Sequence, residues 1–297
     1  MKGKIKWIII VAIIISILAI TLIYFNKFNY KIEEIKEFKY SILIKNEKYG
    51  VIDKQANVVI EPIYDAIQIP NPSKPVFICM NEYNVEQKKY NVTVLNDQNE
   101  KLLTQYQEVK AIPLDVGIEN VPYEKSVLQY QENGKFGLID LNGKKITEAI
   151  YDNIKSINYK EGTFLVQEGD KVGAINMKGT TVIKTEYETI TSDNYYDEIT
   201  KNKRTGFIVS KKTDEGYRYG YINYKGKMIL DTVYTELERV TNINEKNDMY
   251  FIAFKNGQAG LLKNKEIILN HEYEDIQYSF LNEIFIIQRN GWWYGWW

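Results

Sequence analysis

The chain offers few groups from which a catalytic centre could be assembled. Among its 297 residues His271 is the only histidine and Cys79 the only cysteine. A Ser-His-Asp or Cys-His relay would have to use His271, and the chain has no Gly-x-Ser-x-Gly elbow. His271 stands two residues before a recurring tyrosine and reads as a surface or corner residue. Zinc needs several His or Cys ligands, and two such side chains in total are too few. Cys79 rules out an internal disulfide; within the strand-like run Val76 to Met80 it reads as a small buried apolar residue. The oxygen-rich stretch Asn96 to Glu100 has the composition of a calcium loop, yet it falls on a turn where Asp, Asn and Gly recur for backbone reasons. No phosphate-cradling or dinucleotide-binding glycine loop is present. These observations assign no catalytic residue, cofactor or metal. The groups left over lie in two inserted segments. One carries Asp115, Glu119, Tyr123 and Glu124, and the other Tyr195, Tyr196, Asp197 and Glu198. Tyrosines among carboxylates suit contact with a protein or a carbohydrate. The same acids are the raw material for a hydrolase, which needs only two suitably spaced carboxyls.

The elements that position these segments repeat. Lys135 to Ile154 reads as strand, tight turn, strand, corner and strand, with Gly143 closing an Asp-Leu-Asn-Gly turn. Gly137 is followed by Tyr151 and Ile154, and the same spacing gives Gly50 with Tyr64, Gly173 with Tyr187 and Gly220 with Tyr234. One residue shorter, it gives Thr93 with Tyr106 and Gly260 with Tyr273. A last copy is read at Tyr294-Gly295, within a strand Trp292 to Trp297 that is expected to be buried. Each repeat holds four short strands, a to d; in the fourth copy they are Thr163 to Gln167, Lys171 to Ile175, Thr180 to Ile183 and Tyr187 to Ile190. The tyrosine ladder keeps register with the glycines, so it reads as packing between repeats. Length varies between strand d and the next strand a, at 70–75, 113–125, 192–205 and 241–248, which predicts surface loops gathered on one face.

The strands around Tyr49-Gly50-Val-Ile-Asp53, Phe136-Gly137-Leu-Ile-Asp140 and Tyr219-Gly220-Tyr-Ile-Asn223, each closed by a Gly/Lys turn and a later tyrosine, resemble WG repeats. The resemblance covers roughly residues 40 to 297. It departs from the family at the tryptophan, replaced by Tyr49, Phe136, Val172, Tyr219, Ala259 and Tyr294, and at Val92-Thr93 in the second copy. It implies an all-β repeat architecture and brings no catalytic residues with it. Four strands per repeat suit either a seven-bladed β-propeller or an open β-hairpin solenoid. The last copy lacks strands c and d, while a spare d-like stretch, Tyr30 to Glu37, precedes the first copy. A ring in which that stretch completes the last blade is therefore the expected form.

Charge and hydropathy place the repeats. Lys plus Arg number 38 against 39 for Asp plus Glu, and only four are Arg, so the chain has neither the basic face nor the bidentate donors of a nucleic-acid binder. Residues 1–6 carry Lys2, Lys4 and Lys6, and Trp7 to Phe25 follow without a charge. Nineteen apolar residues come close to spanning a hydrocarbon core of about 30 Å, with aromatic residues at both ends. No small-x-small cleavage site follows. The reading is a signal-anchor helix at 7–25 in the lipid bilayer of the cell membrane, a cytoplasmic segment 1–6, a juxtamembrane segment 26–39 and an extracytoplasmic repeat domain 40–297. Taking Lys2, Lys4 and Lys6 from the formal −1 leaves the exported part, residues 26–297, at −4. The function expected is a non-catalytic module that offers inter-repeat loops to a protein or cell-wall glycan. The alternatives are a cell-surface hydrolase and a purely structural envelope protein.

Overall fold

The computed structural model describes residues 35–114, 122–158, 162–196, 203–240, 243, 248–279 and 281–296. The expected segments 1–6 and 7–25, and residues 26–34 of the juxtamembrane segment, lie outside them. Among the described residues no helix is long and apolar enough to cross a membrane. Among the described residues every regular element is a strand, as the abundance of Ile, Val, Thr and Tyr in short runs between Asn/Gly turns demands.

The strands form seven antiparallel sheets, each a meander of neighbours in sequence. Sheet 1 holds β1 (Tyr40–Lys45), β2 (Lys48–Asp53) and β3 (Val58–Tyr64). Sheet 2 holds β4 (Ala66–Gln68), β5 (Phe77–Asn84), β6 (Lys89–Leu95) and β7 (Lys101–Leu102). In sheet 3 lie β8 (Glu108–Pro113), β9 (Tyr123–Glu132) and β10 (Lys135–Asp140). Its fourth position has only the isolated bridges Phe136↔Tyr151 and Ile139↔Lys145. Sheet 4 is β11 (Asn153–Asn158), β12 (Thr163–Glu168), β13 (Lys171–Asn176) and β14 (Thr181–Tyr187). Sheet 5 contains β15 (Thr189–Tyr196), β16 (Lys203–Thr213), β17 (Gly216–Asn223) and β18 (Met228–Tyr234). Sheet 6 contains β19 (Glu236–Val240), β20 (Tyr250–Lys255), β21 (Gln258–Lys263) and β22 (Glu266–Tyr273). Sheet 7 ends the series with β23 (Asp275–Ser279), β24 (Ile284–Arg289) and β25 (Trp292–Trp296).

Repeat and sheet are out of phase by one strand. Strand d of each sequence repeat is the first strand of the following sheet: β15 pairs with β16 and not with β14. Among the described residues, sheet 1 therefore has no d strand and sheet 7 no c strand. In sheet 7 the d position is held by β23, and the stretch Tyr30 to Glu37, expected to complete the last blade, falls largely outside the described residues. Of that stretch, Ile35 to Glu37 is not in a strand, and the remainder lies outside the described residues.

Apolar cores lie between successive sheets. Phe164 and Val166 of β12 face back toward Val127 and Leu138, whereas Leu165 between them faces forward to Phe207 and Val209. Alternation along a single strand thus feeds two cores, which is why these strands show runs of apolar residues rather than a polar face. Six such cores join the seven sheets in order. Among the described residues no apolar cluster joins sheet 7 to sheet 1. The tyrosine ladder sits at these seams: Tyr151, Tyr187 and Tyr234 are buried, and Tyr64, Tyr106 and Tyr273 pack at the edges. Cys79 is buried in the first core, where loss of hydration pushes its thiol up to about 12.

The glycine of strand b answers to close approach. A Cβ on Gly173 would stand 2.8 Å from both the Ile183 carbonyl oxygen and the Thr185 nitrogen, because strand c bulges across it. Gly295 does not share this position. It pairs with Ile286, one step out of register, and Tyr294 takes the place that Gly173 holds after its hairpin. A Cβ on Gly295 would meet only Ile284 Cδ1, at 3.4 Å. The strand expected to be buried is also exposed: Trp292 is 71%, Trp293 44% and Tyr294 53% accessible. Among the described residues no strand c lies over it, so none calls for a glycine beneath.

Candidate functional site at the connection-bearing edge

The a–b hairpins and c–d corners lie at one end of every sheet, and the d–a connections and b–c turns at the other. The first end is held by a recurring clasp. Asp65 binds Lys48 Nζ at 2.5 Å and accepts the Glu82 amide at 2.8 Å. Asp152 does the same with Lys135 at 2.5 Å and the Gly169 amide at 2.8 Å. Glu188 binds Lys171, and Glu274 accepts from the Gly291 amide. These acids follow the ladder tyrosines; Asp65 and Asp152 tie a strand b to the hairpin of the next sheet, while Glu188 keeps the strand-b contact and Glu274 the hairpin contact. Their recurrence at a spacing of 17 residues was a signal available in the sequence that tyrosine and glycine spacing alone does not use.

At the opposite end, the b–c turns of sheets 1 to 5 are capped by one side chain each. Asn96 Oδ1 accepts the amides of Gln98 and Glu100, as Asp140 does for Asn142 and Lys144. The Asn96 to Glu100 stretch is thus an Asx-capped turn. Among the described residues no three His, Cys, Asp or Glu side chains come together in a way that could hold a metal ion.

The d–a connections differ from solvated loops. Ser192 to Tyr196 and Lys203 to Thr205 continue β15 and β16 as a paired ribbon, from Thr189↔Ser210 out to Tyr196↔Lys203. The expected loop 192–205 is therefore a hairpin arm whose tip, including Asp197 and Glu198, lies outside the described residues. Tyr195 and Tyr196 stand in its outer strand pairs. At its root Asp193 Oδ2 accepts from Arg239 Nη1 at 2.5 Å and from Tyr221 Oη at 2.7 Å, and Arg239 Nη1 lies 3.2 Å from Tyr221 Oη. The Arg239 side chain is 3% exposed and that of Asp193 16%. Burial, then the Asp193 charge, raises the Tyr221 phenol well above its ordinary range, so it remains a donor. The ring of Phe251 meets Tyr221 edge-on at 4.8 Å. Gly206 lets the phenol lie against β16, since a Cβ there would be 2.3 Å from Tyr221 Oη. Sheet 6 thereby grips the base of an arm that belongs to sheet 5.

The 113–125 segment changes likewise. Asp115 and Glu119 lie outside the described residues, while Tyr123 and Glu124 belong to β9. Tyr123 is half-buried, and Glu124 is buried with its carboxyl oxygen accepting the Ser126 amide at 3.1 Å. Burial raises the Glu124 pKa. Asn71, in the 70–75 connection, is 1% exposed and donates to the Lys125 carbonyl at 3.1 Å. Adjacent connections are therefore latched together, and Glu124 faces inward where an exposed acid was expected. Arg239 and Asp193 escaped attention because they are 46 residues apart and only the sheet-to-sheet phase brings them together.

Seven meandering sheets with shared seams define an all-β repeat protein. Within that class, residues 49–70, 136–171 and 219–257 match the WG containing repeat, and the chain carries WG repeats over these stretches. Comparison with curated protein sequences gives no match. Among solved structures, a eukaryotic initiation factor is similar with a TM-score of 0.35 and 8% identity, over 84% of this chain and 77% of that one. The dihydro-heme d1 dehydrogenase NirN in complex with DHE gives 0.33 and 8%, over 86% of this chain and 59% of that one. Likenesses at this level carry no functional argument.

Proposed function

We propose that the chain is a non-catalytic binding module, held at the outer face of a membrane, which presents the connection-bearing edge of its sheets to a protein or cell-wall glycan. The observation that carries this reading is the root of the β15–β16 arm. Desolvating an arginine and an aspartate is costly, and a buried pair adds stability only with good geometry and further hydrogen bonds. Here the pair fixes a projecting ribbon against the neighbouring sheet, and a fixed ribbon loses less entropy on binding than a free loop. The charge-free run 7–25 behind three lysines supports the anchor. The unbroken succession of meanders supports a propeller-like course for the array. Its test uses the full-length protein and a variant in which 197–202 is replaced by Asn-Gly. Both are incubated with cell-wall fragments and assayed for retention and for released product. Retention without release, lost in the shortened variant, is the expected result. Release that disappears on one Asp/Glu→Ala change would establish the hydrolase instead, and unchanged retention in the variant would clear the arm of any role.

A further inference from the structure

A cleft of about 400 Å³ opens between sheets 2 and 3, on the same edge as the arm but two sheets away. It exists because both outer strands are curtailed: β7 has two residues, and sheet 3 has only bridges in that position. Leu103 ends β7 by taking a φ of 56°. Its companions in the left-handed region are mostly Asn, with a few Glu, Lys and Ala, and Leu103 is the one bulky apolar residue among them. Such a conformation persists only where the surroundings hold it, and it collects at ligand sites. The surroundings are visible here: Tyr106 Oη donates to the Gly143 carbonyl at 2.6 Å, and the Gly143 turn seats against Leu103 Cδ2.

The lining divides by chemistry. Leu102, Leu103 and Leu141 form an aliphatic wall, and Gln98, Gln105 and Asn142 bring carboxamides to the rim. Among the described residues, Lys74 is the only charged side chain of the lining and no carboxylate belongs to it. A cation finds no counter-charge among these residues. Carboxamides both donate and accept, which matches a ligand whose groups do the same on one side while presenting C–H bonds on the other. We propose that this cleft is a binding site for a short neutral saccharide, its hydroxyl or acetamido groups on the carboxamides and its ring face on the leucines. The site is independent of the arm, so it can stand or fall separately from the reading above.

The experiment is calorimetric titration of the full-length protein, in a detergent without a sugar headgroup, with cellobiose, diacetylchitobiose and a neutral tripeptide. Saturable binding of at least one disaccharide is expected. The double variant Gln98→Leu/Gln105→Leu, altered only at exposed positions, should keep its melting temperature and weaken that binding at least about tenfold. The arm-shortened variant should bind the disaccharide as the parent does. No heat with either sugar, undiminished binding in the double variant, or a preference for the tripeptide would overturn the assignment.

Discussion

At the scale of single residues, the strand-b glycine and the one histidine make opposite demands. Gly173→Ala places a methyl group against the backbone of strand c, where neither Ile183 O nor Thr185 N can yield without opening the sheet. A loss of about 1–3 kcal/mol is expected, as for other overpacked sites, read from a urea midpoint. Gly295→Ala should change stability by less than about 0.5 kcal/mol, because only ordinary contact awaits it. His271 stacks on Tyr234 at 5.7 Å, and its Nε2 is buried without a hydrogen-bond partner. Burial, and then Lys255, lowers its pKa below the usual 6.5. The unfolded chain therefore binds more protons than the folded one between that lowered value and about 6.5, and stability falls as pH drops through this window. His271→Thr, the residue type at the matching positions 185 and 232, should flatten that dependence in melting temperatures taken from pH 7.5 to 5.5. An equal acid slope in the variant would mean that the carboxylates alone set it.

At the scale of elements, the arm depends on its root. Asp193→Ala removes the carboxylate from a buried guanidinium and from Tyr221, and about 3 kcal/mol of stability should go with it. The effect should concentrate in sheets 5 and 6, seen as faster amide exchange along β15 and β19, with sheet 2 unaffected. Much of this architecture was legible beforehand. Glycine, turn and tyrosine recur at fixed intervals because each answers to a local constraint: a bulging neighbour, an Asx cap, a seam. Membership of sheets was not legible, because strand d has the same apolar pattern whichever neighbour it joins. The ribbon at 192–205 was missed for a related reason. Its polar residues carry no alternation, and the Asp193–Arg239 pair at its root joins residues of different sheets. Tyr294-Gly295 looks like the family pair, yet after an equally short two-residue turn one more residue precedes Gly295 than precedes Gly173, which shifts it out of register.

At the scale of the whole molecule, each sheet shares its apolar surface with the sheets before and after it, so stability is approximately a sum of sheets and seams. Among the described residues, sheets 1 and 7 each have a single apolar seam, and sheet 7 carries exposed tryptophans. Unfolding should begin at these ends; deleting β24 and β25 should lower the unfolding midpoint modestly while leaving the seam between sheets 3 and 4 intact by amide exchange. Simultaneous loss of all protection would instead indicate one indivisible core.

The one-strand offset between repeat and sheet has a mechanical consequence. Every sequence repeat leaves its last strand in the next sheet, so neighbours are stitched by the chain itself as well as by the clasp. A tether pulling residue 40 against residue 296 cannot slide one sheet off another. It must first strip a d strand from its partner, and each such rupture frees on the order of 100 Å of chain. Stretched singly, the molecule should lengthen in even steps, as a zip fastener opens tooth by tooth. A surface protein loaded through one end would yield gradually under tension and keep its remaining sheets intact.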